Sequence, residues 1–388
     1  MSTHPAPPLS LYVHIPWCVR KCPYCDFNSH ELRGELQSRE YVDALLADLD
    51  ADLAELPWLR ERRIETVFFG GGTPSLFQPD RIAAILTGVA QRIPLDRAAE
   101  VTLETNPGTV EHAPFDGYRD AGVNRISFGI QSFDDDKLRR LGRIHGANEA
   151  RDAVRQAQDA GLANINLDLM YALPEQSLEG ALSDIEQAIA LAPAHVSHYQ
   201  LTLEPNTQFA AQPPPLPDDD SAWAMQEAAQ ARLAEAGYAQ YEVSAYARDG
   251  AQCAHNRNYW TFGDYLGIGA GAHGKLTAPD GDVHRRWKLK HPRAFLSAAA
   301  TPARLGGDAI VARDQLPFEF MLNALRLNAG FQLPEFEQRT GLARDAIAVP
   351  LAEAQRRGWL AVAGDVVLPT ALGARFLNDV IAEFLPDA

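Results

Sequence analysis

Six apolar, β-branched runs alternate with amphipathic stretches in the first half of the chain, and this alternation limits the fold more than any other feature of the sequence. Helical periodicity between the runs is clearest at residues 39–56, 80–89, 147–160 and 178–190. Six strand-then-helix units imply a parallel α/β sheet with right-handed crossovers. Their spacing alone does not distinguish an open barrel from a doubly wound sheet. The predicted strands are residues 9–15, 64–70, 100–105, 125–131, 164–171 and 196–203.

The second half of the chain has a different pattern. A break rich in Pro and Asp at residues 212–220 predicts a surface connection. It is followed by a predicted helix at 221–236 and by an aromatic-rich predicted strand at 238–247. Residues 253–274 are rich in Gly, His and aromatic side chains, and we interpret them as a functional loop.

From residue 308 onward the sequence predicts short helices and then a hairpin at 359–369, which together indicate a small winged-helix-like module. Modules of this kind commonly bind DNA. This segment, however, carries seven Arg, no Lys and eleven Asp and Glu residues, and the whole chain has a net charge of -16. Because nucleic acid requires a basic surface, we expect no nucleic-acid partner.

The length of the chain and its first residues bear on its domain content and its cellular location. With 388 residues the chain is long enough for one barrel and a smaller module. Its first residues lack a positively charged segment followed by an apolar run, so no secretory signal is expected. No stretch approaches the ~20 apolar residues of a membrane span, so no membrane anchor is predicted. We therefore expect a cytoplasmic protein.

Three of the four cysteines, Cys18, Cys22 and Cys25, lie directly after the first predicted strand in a C-x3-C-x2-C spacing. In a reducing compartment this grouping indicates a metal site rather than disulfides. Thiolates suit both iron–sulfur clusters and zinc. On a four-iron cube, three thiolates leave one iron free for a small molecule, whereas structural zinc requires four protein ligands. We favour the cluster. Zinc completed by Cys253, or structural cysteines without metal, are the alternatives.

The cysteine loop resembles that of the radical-SAM superfamily, in which an aromatic residue, here Tyr24, precedes the third cysteine. The resemblance implies an open (β/α)6 barrel and a [4Fe–4S] cluster held by the three cysteines. In that family the unique iron binds S-adenosylmethionine, and reduction of the cluster cleaves it to a 5′-deoxyadenosyl radical. The resemblance also implies that Tyr12, in the strand before the loop, and Tyr24 contact the cofactor.

A second motif, a Gly-Gly-Gly-Thr-Pro run, ends the second predicted strand. Glycines let backbone groups approach a ligand closely, although a triple glycine by itself is as readily a tight turn. The position of the run beside the cysteine loop resembles the superfamily element that holds the methionine amino group. On this resemblance Gly71, Gly72 and Thr73 bind S-adenosylmethionine.

Four polar residues near the ends of later strands extend the resemblance. Glu104 resembles the acidic residue that contacts the cofactor in this superfamily. Gln131 ends the fourth predicted strand, Arg143 follows it, and Asp168 lies within the fifth. Ligand sites of parallel barrels collect at the carboxyl ends of their strands. Each residue alone is as readily a cap, an ion pair or a polar group at the core edge. Their matching order assigns all four to cofactor binding.

Residues 128–133, 141–145 and 264–274, together with the C-terminal module, resemble the oxygen-independent coproporphyrinogen III oxidase group. This resemblance covers nearly the whole chain. The dehydrogenases of that group carry a further cysteine two residues after the third cluster cysteine, and they have a longer N-terminal extension. Here that position is Phe27, and only about ten residues precede the first strand. Both departures match the haem-chaperone branch of the group.

Membership of that branch implies a haem site. Residues 253–260 (CAHNRNYW) resemble the C-x-H-N-x-x-Y-W element of the branch. Imidazole and thiolate are both axial ligands of haem iron, which makes His255 the first candidate ligand and Cys253 the second. The alternative is that His255 forms ordinary hydrogen bonds and that the nearby aromatic side chains belong to the core. His273 is closer, by resemblance, to the adenosyl pocket.

The resemblance implies three domains: a radical-SAM barrel core (1–215), an extension with the C-x-H-N-x-x-Y-W element (216–305), and a helical, winged-helix-like domain (306–388). It implies a haem chaperone that binds the cluster, S-adenosylmethionine and haem. Haem would pass to apo-haemoproteins, including membrane-bound respiratory enzymes. The main alternative is a coproporphyrinogen III dehydrogenase that acts by radical oxidative decarboxylation. A zinc-stabilised binding protein and a radical enzyme with another substrate are further alternatives.

Overall fold

Residues 6–108 and 112–386 are described by a computed structural model of the chain. Residues 1–5, which belong to the segment tested for a secretory signal, lie outside this part. The strands of the described part are β1 (Leu9–Ile15), β2 (Trp17–Cys18), β3 (His30–Glu31), β4 (Ile64–Gly71), β5 (Leu95–Thr105), β6 (Arg125–Gln131), β7 (Asn164–Tyr171), β8 (His195–Gln200), β9 (Ala239–Gln240), β10 (Ala245–Ala247), β11 (Asp264–Ile268), β12 (His273–Thr277), β13 (Val283–Lys288), β14 (Leu305–Ile310), β15 (Phe331–Gln332), β16 (Leu360–Ala363) and β17 (Val366–Pro369). The α-helices are α1 (Ser38–Glu55), α2 (Pro79–Ala90), α3 (Phe115–Asp120), α4 (Asp135–Arg140), α5 (Ala147–Asp159), α6 (Leu178–Ala190), α7 (Gln208–Ala211), α8 (Asp219–Glu235), α9 (Ala254–Trp260), α10 (Pro292–Ala298), α11 (Leu316–Ala324), α12 (Leu333–Thr340), α13 (Ala348–Arg356), α14 (Ala371–Arg375) and α15 (Leu377–Ala382).

The strands from β1 to β14 that belong to the barrel and its extension form one open sheet, with the strand order β14-β13-β12-β11-β1-β4-β5-β6-β7-β8-β10-β9. Every neighbouring pair from β11 to β8 is parallel, and the flanking pairs are antiparallel. The predicted parallel sheet of six strand-then-helix units is confirmed as β1, β4, β5, β6, β7 and β8. The largest difference in boundary is at the start of β5, which begins at Leu95 rather than at residue 100.

The parallel strands have an apolar outer face and a polar inner face, as their alternation of side chains requires. On β1, Leu11, Val13 and Ile15 are fully buried in the main hydrophobic core beneath the helices. The alternate residues Tyr12 and His14 instead border a cavity on the inner side of the sheet. The helices therefore stabilise the barrel from outside, and the polar inner face is left for a site.

The segment 253–274 is not the loop that the sequence predicts. It forms α9, β11 and the beginning of β12. Strand β11 pairs in parallel with β1, from Leu9 opposite Asp264 to Val13 opposite Ile268, and adds a seventh parallel strand. The glycines of this segment made the sequence pattern resemble a loop, because Gly is depleted in strands. Similarly, the strand predicted at 238–247 is two short strands, β9 and β10.

A buried ionic network joins α1 to the antiparallel extension β12–β14. Asp48 and Asp52 of α1 each accept a hydrogen bond from Lys288 Nζ of β13, at 2.6 Å. The guanidinium of Arg304 donates to the same two carboxylates, at 3.0 Å and 2.7 Å. All four side chains are at most 2% exposed. Because removing one member would leave an unpaired buried charge, the network fixes the extension firmly against the barrel.

The C-terminal module is built around a second hydrophobic core, in which Phe320, Met321, Phe336 and Val367 are fully buried. Phe262 and Val283 of the preceding extension also pack into this core. It consists of the helices α11–α15 and the three-stranded sheet β15-β17-β16. The hairpin predicted at 359–369 is confirmed as β16 and β17, which pair in antiparallel fashion. Small helices with such a hairpin make the predicted winged-helix-like arrangement.

Candidate cofactor site

The carboxyl ends of the parallel strands surround a cavity of about 460 Å³, which we call the cofactor cavity. The structure brings eleven of the predicted site residues together in its wall, whereas Tyr12 and His273 border an adjoining cavity of about 590 Å³ that shares Gly71 and Glu104 with it. The eleven residues are Cys18, Cys22, Cys25, Tyr24, Gly71, Gly72, Thr73, Glu104, Gln131, Arg143 and Asp168.

The cysteine loop is fixed by its own backbone. The Cys25 N–H donates to the carbonyl of Cys22 at 3.2 Å, which forms a tight turn between two of the cysteines. Lys21 Nζ donates to the carbonyls of Phe27 and Ser29, at 3.2 Å and 3.1 Å, and closes the loop behind them. Burial raises the pKa of the Cys25 thiol, while the Ser29 hydroxyl, 3.6 Å from its sulfur, and the Lys21 ammonium oppose that effect. The loop is therefore pre-shaped to present three sulfurs to one cavity.

The glycine run lies against the segment that leads into the cysteine loop. The Gly72 N–H donates to the Ile15 carbonyl at 2.8 Å, and the Thr73 N–H donates to the Trp17 carbonyl at 2.7 Å. Gly71 has a φ of +117°, and a Cβ there would lie 2.6 Å from the His14 ring. A Cβ on Gly72 would collide with the Trp17 carbonyl. Only glycine allows β4 to approach the cysteine loop this closely.

A chain of polar contacts joins the glycine run to the cysteines. Asn106 Nδ2 donates to Thr73 Oγ1 at 3.0 Å, and Arg143 Nη2 donates to Asn106 Oδ1 at 2.5 Å. The same Arg143 nitrogen donates to the Gly129 carbonyl at 2.6 Å, and its other terminal nitrogen lies 3.7 Å from Cys22 Sγ. The guanidinium is therefore placed to stabilise a thiolate. Asn106, which the sequence analysis missed, is the link between the two motifs.

Two partly buried carboxyl groups, those of Glu104 and Asp168, face the cavity. Burial, reinforced by the nearby Asp168, raises the pKa of Glu104 to about 8, although the Gly71 N–H donates to Glu104 Oε2 at 3.2 Å. Burial also raises the pKa of Asp168, against hydrogen bonds from Asn166 Nδ2 (2.8 Å) and Ser127 Oγ (3.1 Å). Without a cationic ligand Glu104 is protonated at neutral pH. A cation placed in the cavity would favour its ionised form.

Gln131 reaches the cavity through an unusual backbone conformation. Its φ of +70° is rare for a residue with a side chain, and the register between β6 and β7 shifts at this point. The Phe133 N–H and the Ser132 hydroxyl both donate to the buried Asp184, which secures the turn that follows. Tyr199 Oη donates to Gln131 Oε1 at 3.0 Å. The conformation is thus held from both sides, which is typical of a functional position.

His255 lies away from the cofactor cavity, at the amino ends of the strands, where α9 closes the floor of the barrel. Its Nδ1 is 2.8 Å from the Thr66 hydroxyl, and its Nε2 is 2.8 Å from the Tyr259 hydroxyl. Burial lowers its pKa to about 3, so the ring is neutral. The backbone N–H groups of Ala254 and His255 both donate to the Glu100 carboxylate at 3.1 Å. The structure does not bring His255 to the predicted cofactor residues.

Cys253 belongs to the same floor. It is completely buried, and its thiol donates to Glu100 Oε1 at 3.5 Å. It lies immediately before α9 rather than beside the three loop cysteines, so this structure does not assemble the four-cysteine zinc site that the sequence left open. His273, by contrast, is exposed on β12, where its ring stacks on Trp287 with a centroid separation of 6.3 Å.

Known proteins share this architecture. Residues 12–192 match the radical SAM superfamily, and residues 311–376 match the HemN C-terminal domain family. Three cysteines at the carboxyl end of an open parallel barrel, beside a glycine run, thus define a radical SAM protein. Such membership implies a [4Fe–4S] cluster and S-adenosylmethionine. The residues present fit both groups, because three thiols border one cavity and two partly buried carboxyl groups face it.

Full-length relatives narrow the assignment. The chain is 52% identical to the heme chaperone HemW of Escherichia coli and 50% identical to the heme chaperone HemW of Haemophilus influenzae, over 98% of this chain and 99% of each relative. The chain belongs to the HemW family. The structure of the coproporphyrinogen III oxidase HemN from Escherichia coli matches with a TM-score of 0.82 at 24% identity, over 98% of this chain and 91% of that chain. This likeness shows the shared fold. In residues 6–108 and 112–386 no helix is long and apolar enough to cross a membrane.

Proposed function

We propose that this chain is a haem chaperone that binds a [4Fe–4S] cluster, S-adenosylmethionine and haem and transfers haem to apo-haemoproteins. The observation that carries the proposal is Phe27, which stands two residues after Cys25, where the dehydrogenases have a further cysteine. Its side chain is 60% exposed at the mouth of the cofactor cavity. The rest of that cavity follows the radical-SAM pattern, so the difference from the dehydrogenase lies at its entrance.

The cluster is assigned to Cys18, Cys22 and Cys25. Support comes from the common cavity that the three cysteines border and from the Arg143 nitrogen beside Cys22 Sγ. A radical-SAM cluster supplies one open iron site and an electron when it is bound. The surrounding residues orient the loop, provide positive charge near a thiolate and leave the cavity side of the cysteines open.

S-adenosylmethionine is assigned to the remaining wall of the cavity. Gly71, Gly72 and Thr73 would meet its amino group, and Glu104 would pair with positive charge on the cofactor. Gln131, Arg143 and Asp168 extend the same wall, Tyr24 adjoins the cysteines, and Tyr12 and His273 border the adjoining cavity. The raised pKa of Glu104 supports this assignment, because a carboxyl group whose charged form is disfavoured can be stabilised by a positively charged ligand.

The wider setting of the proposal follows the same family. The chaperone would act in the cytoplasm, and its recipients would include membrane-bound respiratory enzymes. We further propose the division into a barrel core (1–215), an extension (216–305) and a C-terminal domain (306–388). Most residues of the second hydrophobic core belong to the last segment, which supports that boundary, and Phe262 and Val283 of the extension pack into the same core. Because β11–β14 continue the barrel sheet, the extension would move with the barrel core as one body.

The test is a pair of assays on the same anaerobically reconstituted protein. Haem titration should produce a saturable Soret band, and mixing the loaded protein with an apo-cytochrome should move that band to the cytochrome. Under reducing conditions with S-adenosylmethionine, the same protein should leave coproporphyrinogen III unchanged. Robust formation of vinyl products, or absence of haem binding, would contradict the proposal. Free haem at the same concentration is the control for passive transfer.

A further inference from the structure

A second cleft lies on the outer side of the cysteine loop, and we call it the outer cleft. It has a volume of about 530 Å³, within the size range of small-molecule and cofactor sites. Its wall comes from β2, from β3 with the residues that follow it, and from the start of α10. Ser29 borders both the outer cleft and the cofactor cavity. One short segment of chain therefore separates the two.

Two histidines meet at the rim of the outer cleft. The rings of His30 and His291 are edge-to-face, with centroids 5.6 Å apart. His30 is already engaged, because its Nε2 is 3.3 Å from Asn28 Oδ1 and the backbone of Lys290 also hydrogen-bonds to it. His291 is exposed, and its ring makes no hydrogen bond to any residue that the structure describes. An exposed imidazole that has no hydrogen-bond partner and is oriented by a neighbouring ring is suited to coordinate a metal ion that a ligand carries.

The outer cleft also collects positive charge on a strongly acidic chain. Lys21, Arg33 and Arg293 border it, against the two acidic residues Glu31 and Glu35. This local excess of positive charge contrasts with the net charge of -16 for the whole chain. Arginine side chains pair well with carboxylates. The surface therefore fits a ligand that carries carboxylate groups.

The floor of the outer cleft is apolar. Trp17 and Leu296 are partly buried against the main core, and Leu32 and Pro292 complete the floor. The cleft thus combines an imidazole, arginines and an apolar surface. Haem has the matching features, since its iron accepts imidazole, its propionates are anionic and its macrocycle is apolar.

We propose that haem binds in the outer cleft, with His291 as an axial ligand and with Arg33 and Arg293 facing the propionates. This inference rests on the proposed haem-chaperone function and gives it a location. His30 is a positioning residue, which holds the His291 ring at the rim. Haem would then lie outside the barrel, where an acceptor protein can reach it, while S-adenosylmethionine occupies the cavity within.

The other histidines near the barrel fit less well. Both ring nitrogens of His255 are engaged in the floor of the barrel. Those of His14 are likewise engaged, with Tyr12 Oη at 3.1 Å and the Asn28 carbonyl at 2.9 Å. His273 is accessible, but its cavity shares Gly71 and Glu104 with the cofactor cavity. Haem there would compete with S-adenosylmethionine for the same wall.

The experiment is an anaerobic titration of the cluster-loaded full chain with ferric haem, followed by its Soret band and its electron paramagnetic resonance spectrum. His291→Ala should weaken haem binding by at least about tenfold and remove the spectroscopic signature of a histidine ligand. Added imidazole should restore that signature. His284→Ala, at a partly exposed histidine of β13 outside the residues that line the outer cleft and the two cavities, is the matched control and should bind haem as the wild type does. Iron and sulfide contents and the melting temperature should be unchanged in both variants.

Further variants test the remaining features of the site. His30→Ala should weaken binding less than His291→Ala. The double substitution of Arg33 and Arg293 by Ala should weaken haem binding yet leave binding of haem dimethyl ester unchanged, and Arg97→Ala is the control for loss of an exposed arginine.

The outcomes separate this inference from the proposed function. If the wild type binds no haem, the chaperone function itself fails. If the wild type binds haem and His291→Ala binds it equally well, the function stands and the outer cleft is wrong. Loss of the histidine signature in His273→Ala or in folded His255→Ala, with His291→Ala unaffected, would move the site elsewhere and equally overturn the inference.

Discussion

The two ends of the barrel use similar residues for opposite purposes. At the carboxyl ends of the strands, Cys18, Cys22 and Cys25 are partly exposed and border a cavity. At the amino ends, Cys253 and His255 are buried in the floor. The residues at both ends are Cys, His, Glu and Tyr. Residue type therefore does not by itself mark a functional site.

Hydrogen-bond partners make the difference between the two ends. In the floor, the Glu100 carboxylate accepts from the Cys253 thiol and from the backbone at the start of α9, and His255 is engaged at both nitrogens. Such a satisfied network stabilises the fold and leaves no group for a ligand. At the other end, burial and the nearby Asp168 raise the pKa of the Glu104 carboxyl group, which faces the cofactor cavity. The Glu104 carboxyl group can therefore still pair with a positively charged ligand.

The largest expected effect is at the open end. Replacing Cys18, Cys22 and Cys25 together by Ala should abolish cluster iron and sulfide and S-adenosylmethionine binding, while the far-ultraviolet circular dichroism remains that of a folded protein. The reason is that these side chains contribute little to the main core, which lies beneath the helices. Iron and sulfide analysis after anaerobic reconstitution is the measurement. Global unfolding would mean that both ends are structural.

The second-largest effect is expected at the floor of the barrel, where a substitution should lower the stability of the protein and leave the cluster intact. His255→Ala should destabilise the protein by about 2–4 kcal/mol, because it leaves a cavity and removes a partner from the buried Thr66 hydroxyl and the partly buried Tyr259 hydroxyl. Cluster content should stay at the wild-type level. Urea unfolding monitored by fluorescence measures the change, and the exposed His273→Ala should shift it by less than about 0.5 kcal/mol. A stable His255→Ala variant that has lost haem would argue that the floor is a binding site.

A third, pH-dependent effect concerns Glu104. Because its pKa is about 8 in the folded protein against 4.5 in an unfolded chain, its contribution to stability is present below pH 4.5 and is lost as the pH rises through 8. Relative to Glu104→Gln, the cofactor-free wild type should lose up to about 1 kcal/mol of stability per pH unit between pH 6 and 8. Unfolding curves of the two proteins at several pH values give this difference.

S-adenosylmethionine binding should show the reverse trend. If the cofactor pairs with ionised Glu104, its affinity for the wild type should rise with pH up to about 8, and Glu104→Gln should bind it weakly at every pH. Equilibrium dialysis with the cluster-loaded proteins measures both. An affinity independent of pH in the wild type would separate Glu104 from the cofactor.

The smallest effect is expected at Cys253. Its substitution by Ala removes one thiol hydrogen bond to Glu100 and a small buried volume, so destabilisation should be about 1 kcal/mol. Iron, sulfide and zinc contents should equal those of the wild type. Loss of bound metal in this variant would revive the four-cysteine zinc alternative and remove the contrast between the two ends.

The barrel was predictable from sequence because its strands have an apolar outer face. That pattern gives alternating apolar residues in β1, β4 and β6 and amphipathic helices between them. The seventh strand β11 was not predictable, since its pairing with β1 joins residues about 255 positions apart and a glycine-rich stretch follows it directly. The ion network of Asp48, Lys288 and Arg304 was likewise invisible, because the charged residues are far apart in the chain.

The sequence by itself determined the parallel architecture, the cysteine loop and the glycine run, because each depends on neighbours along the chain. Only the tertiary structure decided which polar residues are left unsatisfied. It buried Cys253 and His255 in the floor, and it left His291 open beside the cysteine loop. The physical reason is that a side chain's capacity to bind depends on the hydrogen bonds it has already made, and those partners come from distant parts of the chain.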